Sequence, residues 1–187
     1  TLQDVQDWYR AYYGPNNCVL SLAGDISPDE ALALVRKYFD GIPAGPPIAR
    51  ADAWVPRLDE PIRERMEDRV PQARIYRVYH APAWRDPDLS PLRLFASVLS
   101  GSRSARLDRR LVYELDLATS VTATVYGEEI AGQIEITATV KDGVDPARVE
   151  REMDLVIDQL LREGPTDPEL QRARSRILSA FARGAER

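Results

Sequence analysis

Histidine and cysteine occur once each in this 187-residue chain, at His80 and Cys18, and lysine only twice, at Lys37 and Lys141. A single cysteine excludes an internal disulfide, so packing alone must hold the fold. A single histidine excludes every two-histidine zinc site and every H-E-x-x-H arrangement within the chain. A Ser-His-Asp or Cys-His centre would have to be built on His80 alone. No run reaches 18 apolar residues, so the sequence offers no membrane-spanning helix. No basic n-region followed by an apolar h-region is visible, and an initiator Met is absent, so the chain reads as a piece of a longer parent. Thirty acids against 25 bases give a net charge of −5, which argues against a broad basic face for nucleic acid.

What is present is ordinary globular material: 44% apolar and 29% charged residues, in a length that suits one domain or two small ones. The excess of arginine over lysine reads as the mark of a GC-rich genome rather than of arginine chemistry. Thr1 with Asp4 resembles a capping box, opening a helix through Leu2, Val5, Tyr9 and Tyr12 that Gly14-Pro15 stops. Cys18–Ala23 reads as a short buried strand with an inert thiol. Ser27, Pro28 and Glu30 then occupy the N-cap, N1 and N3 positions of a helix carrying Ala31, Leu34, Val35, Tyr38 and Phe39. A proline-rich crossing loop spans 41–61, and extended stretches are expected at Ile62–Val70 and Gln72–His80. In the second of these, Tyr76, Val78 and His80 share one face while Ala73, Ile75, Arg77 and Tyr79 share the other.

A helix follows from Ser90-Pro91 to Gly101, and another starts at Ser104 with Leu107, Leu111 and Leu115 inside. Strands are expected at Ala118–Tyr126 and Gly132–Lys141. A long helix runs from Asp145-Pro146 to Gly164-Pro165, with Val149, Met153, Ile157, Leu160 and Leu161 inward, and a last one starts at Thr166. The order contains the β–α–β–β–α–β alternation of a ferredoxin-like core. The expected fold class is α+β: a two-layer sandwich of a mostly antiparallel sheet with helices on one face, plus extra helices.

The candidate chemistry is sparse. His80, at a strand end, has no second strong ligand beside it, and Cys18 has no base. Asp86/Asp88 and Glu128-Glu129 read as solvated turn carboxylates. Gly101-Ser102-Arg103-Ser104 could cradle an anion, although it matches no P-loop. No catalytic, metal-binding or substrate-binding residue is assigned in this chain.

Several of these segments together resemble a known family. Thr1–Val5, Tyr12-Tyr13-Gly14-Pro15-Asn16-Asn17, Val19–Asp25, Ala31–Pro43 and Gly101–Val121 are similar to the second domain of the pitrilysin/insulinase zinc peptidases, the inverzincins. That resemblance implies one domain over 1–187, with an opening helix at 1–14 and an α+β body at 15–187, truncated relative to its parent at both ends. It implies Zn²⁺ bound by an H-x-x-E-H motif in a preceding domain, outside this chain. It also implies a non-zinc domain that walls a substrate chamber, in a bacterial, periplasmic endopeptidase acting on peptides. The family's substrate-gripping Arg and Tyr fall here on Val112 and Thr119, so both are lost. Arg106 and Tyr113 keep the family's separation of seven, but using them would misplace the Leu117–Val121 anchor. A partner half is then expected to supply the pair. The alternatives are a non-catalytic assembly subunit of the same family, or an unrelated ferredoxin-like ligand-binding domain.

Overall fold

The structure is a computed structural model that describes residues 1–48 and 54–186. They fall into two compact units, Thr1–Asp52 and Ala53–Arg187. The middle of the expected crossing loop, 49–53, lies outside the described residues.

In the first unit, helix α1 (Leu2–Tyr12) opens on the capping box that the sequence indicates. The Asp4 amide donates to Thr1 Oγ1, while the Thr1 amine and hydroxyl donate to Asp4 Oδ2 at 2.6 and 2.7 Å. Pro15–Asn17 form one 3₁₀ turn. Asn16 then fastens a distant stretch: its Nδ2 donates to the carbonyls of Gly45 and Pro46, and its Oδ1 accepts from the Gly45 amide at 2.8 Å. Helix α2 (Pro28–Phe39) starts at Ser27, whose Oγ accepts from the Glu30 amide.

The expected strand Cys18–Ala23 does not form. Cys18 has extended backbone angles but is exposed rather than buried, and Val19 is 94% exposed. A strand needs a neighbour for its N–H and C=O groups, and among the described residues this unit holds no second one.

The second unit holds β1 (Arg74–Ala81), α3 (Leu89–Leu99), a π-helix (Asp108–Glu114), β2 (Ala118–Gly127), β3 (Gly132–Val140), α4 (Pro146–Glu163) and α5 (Asp167–Ala185). The three strands form an antiparallel sheet with β3 central, in the order β1-β3-β2. Register places Ile75, Ala138 and Val121 in one row, Arg77, Ile136 and Ala123 in the next, and Tyr79, Ile134 and Val125 in a third. The period of two sends these rows to one face, where Ile134, Ile136, Ala138 and Val140 meet Leu99, Leu107, Leu111, Val149, Met153 and Leu160. The α+β two-layer class is therefore as expected.

Three details differ. Ile62–Val70 forms no strand: Ile62, Met66 and Val70 are all exposed, and the segment is tied instead through an Arg63–Glu150 ion pair. With 18–23 and 62–70 outside the ladder, the described alternation is β–α–β–β–α. The expected α-helix after Ser104 is instead a π-helix over Asp108–Glu114, because a leucine at every fourth position does not distinguish the 3.6-residue turn from a wider one. Leu161 is exposed, since α4 turns Val149, Met153, Val156, Ile157 and Leu160 inward and Leu161 lies about 100° further round.

Candidate functional site

The helices of the second unit cover only one face of the sheet, and the alternation of each strand decides what the other face presents. Its rows are Arg74, Thr139 and Ser120; Tyr76, Thr137 and Thr122; Val78, Glu135 and Thr124; His80, Gln133 and Tyr126. Tyr76 and Val78 are more than half exposed, at 55% and 54%, and Tyr126 is 43% exposed. Thr137 Oγ1 donates to Glu135 Oε1 at 3.1 Å. The face is thus a flat aromatic and hydroxyl surface, chemically suited to lie along a peptide. It carries no nucleophile–base pair. His80 stands at its edge, beside an open depression of about 640 Å³ lined by residues 55–59.

The zinc centre implied by the resemblance finds no donor set here. Among the described residues no three His, Cys, Asp or Glu side chains come together. Asp86 and Asp88 form a local turn, with Asp86 Oδ1 accepting from the Asp88 amide at 2.9 Å. Glu128 and Glu129 lie in the β2–β3 turn, where the Glu128 carbonyl accepts from the Trp84 amide.

Val112 is half-buried on the π-helix against the core. Thr119 is the extra residue of a bulge between Ala118 and Ser120, exposed, with its hydroxyl 3.4 Å from the Thr139 carbonyl oxygen. The offset residues Arg106 and Tyr113 go to different tasks. Arg106 is buried and clamps Glu169 with two hydrogen bonds of 2.8 Å, while Tyr113 is exposed beneath the Arg103 guanidinium. The separation of seven that Arg106 and Tyr113 share makes no pair here; the partner of Arg106 is 63 residues away in α5.

No curated protein matches the chain. Among solved structures, a protease from Helicobacter pylori is 19% identical with a TM-score of 0.80, covering 100% of this chain and 46% of that one. A chain of Complex III2 from Candida albicans is 17% identical with a TM-score of 0.69, covering 98% and 45%. The periplasmic protease PqqL from Escherichia coli is 17% identical with a TM-score of 0.64, covering 100% and 21%. At these identities the likeness is one of fold, and the chain spans less than half the length of each. The model of the peptidase M16 inactive domain matches residues 1–177, so the pitrilysin/insulinase resemblance holds and the chain belongs to that family.

Proposed function

We propose that this chain is the non-catalytic second domain of a zinc endopeptidase half, and that the open face of its sheet lines the chamber in which peptides are held. The observation that carries this reading is the one-sided sheet, with Tyr76, Val78 and Tyr126 left exposed in rows between threonines. Burying such apolar surface against a bound chain is favourable at about 25 cal/mol per Å². Zinc belongs to a preceding domain of the same parent, where the bound metal lowers the pKa of its water and makes it a nucleophile. What this chain contributes is a wall and a binding surface. With Val112 and Thr119 at the family's Arg and Tyr positions, the grip on the peptide falls to a partner half. In this reading residues 1–187 are one domain of a longer parent that also holds the zinc domain, and the periplasm is its compartment, in keeping with the periplasmic PqqL.

The test is steady-state peptide hydrolysis by the intact parent carrying Val78→Arg. The expected result is a several-fold rise in KM with kcat and the melting temperature held. Unchanged KM for a panel of peptides would overturn the assignment of this face.

The similarity in fold to a chain of Complex III2 favours one other reading, an assembly subunit. That reading requires a parent without an intact H-x-x-E-H motif and without chelator-sensitive hydrolysis.

A further inference from the structure

We infer that the cleft between the C-terminal end of α3, the 102–105 loop and α5 binds a small tetrahedral oxyanion of the phosphate or sulfate class. The site lies in the helical layer and does not depend on the function proposed for the open sheet face. The cleft has a volume of about 120 Å³, against the roughly 30 Å³ share of one water. Ser97, Ser102, Ser104, Arg172 and Arg176 line it together with Glu169, over an apolar floor of Val98, Ala105 and Ala173.

Arg176 is held rigidly. Its Nη2 donates to the carbonyls of Ser97 and Ser100 and to Ser97 Oγ at 2.6 Å, closing the end of α3. Arg176 Nη1 is buried and makes no hydrogen bond. It rests against Gly101 (φ +99°), where an added Cβ would sit only 2.6 Å from it.

The charges on the wall do not cancel. Glu169 also borders the cleft, but both of its oxygens are taken by Arg106 and the Thr166 amide and hydroxyl. Asp108 accepts from the Gly101 amide and balances part of the Arg176 charge. Arg172 has no ion-pair or hydrogen-bond partner among the described residues. Arg172 and the Nη1 of Arg176 are donors without acceptors, beside the Ser102 and Ser104 hydroxyls, which lie 3.4 Å apart and share one hydrogen bond. Oxyanions supply acceptors in that geometry, and arginine is suited to bind them through its planar fork.

The test is isothermal titration calorimetry of the intact protein with inorganic phosphate at constant ionic strength. The expected result is saturable one-site binding that sulfate competes away. Arg172→Gln should weaken it by about tenfold or more, as loss of a charge-assisted hydrogen bond implies. Arg174→Gln removes the same charge from α5 but not from the cleft, and should bind as the parent does. Arg172→Lys, which keeps the charge and loses the fork, should fall between. No saturable binding, or equal losses in Arg172→Gln and Arg174→Gln, would overturn the site. A tripolyphosphate titration identifies the source: tighter, Arg172-dependent binding means the phosphoryl group of a larger molecule, and weaker binding means the free ion.

Discussion

Arg106 and Glu169 form the most enclosed ion pair among the described residues, with side chains 10% and 14% exposed. Arg106 Nη2 also donates to the Gly164 carbonyl at 3.1 Å, and Glu169 closes the first turn of α5 by accepting from Thr166. The Arg106 hydrogen bonds, helped by those from Thr166 and opposed by burial, bring the Glu169 carboxyl to about 2. Its folded value lies below the ordinary 4.5, so the stabilisation is complete above about pH 4.5 and drains away as the pH falls toward 2. That contribution is on the order of 2–3 kcal/mol. Thermal melts of the parent should therefore fall more steeply between pH 4.5 and 2 than those of Glu169→Gln. Parallel profiles would show that the pair does not set acid stability. Arg106→Met leaves the carboxylate enclosed without its cation and should cost roughly 3 kcal/mol in urea unfolding at neutral pH.

Among the elements, the β2–β3 hairpin shows how tightly one position can be constrained. A Cβ on Gly132 would lie 2.3 Å from the Pro82 carbonyl oxygen and 2.7 Å from that of Tyr126, both fixed backbone atoms. Gly132→Ala must push the β1 end off the sheet, and should lower stability by about 2 kcal/mol or more in denaturant titration. A loss under half of that would mean the strand ends yield freely. The hairpin, α3, α4 and α5 were legible in the sequence because their signals are local. Pro146 and Thr166 mark helix starts, Gly127 and Gly132 bracket a turn, and alternation over 132–140 gives each side chain its face. The strands expected at 18–23 and 62–70 carry the same local pattern and do not form, since a ladder depends on a neighbour that composition cannot supply. The one-sided sheet was legible as an alternation; which of its two faces the helices cover was not.

At the scale of the molecule the two units differ in kind. Among the described residues, every buried apolar side chain lies between Leu89 and Ala173, and none in the first unit is buried. Along α1 and its C-cap, Trp8 packs tilted on Tyr12 and Tyr9 stacks on Tyr13, but all four remain in water. A chain of residues 54–187 should accordingly melt in one cooperative transition, with coincident circular dichroism and fluorescence curves. Residues 1–48 alone should show helix signal that fades gradually with temperature, because short helices without a buried face are marginal. A sharp transition in the shorter piece would mean that it holds a core of its own.

The sequence by itself determined the chemistry that is impossible within this chain, the helix caps, the hairpin and the family to which it belongs. These rest on residue identity and on spacings of a few positions, which the backbone converts directly into geometry. Only the tertiary structure decided that Arg106 clamps Glu169, that one sheet face stays open, and that Arg172 and Arg176 of α5 line one cleft with Ser97, Ser102 and Ser104. Each of these joins residues far apart in the chain. Their distances are set by how the layers pack, and no local pattern encodes them.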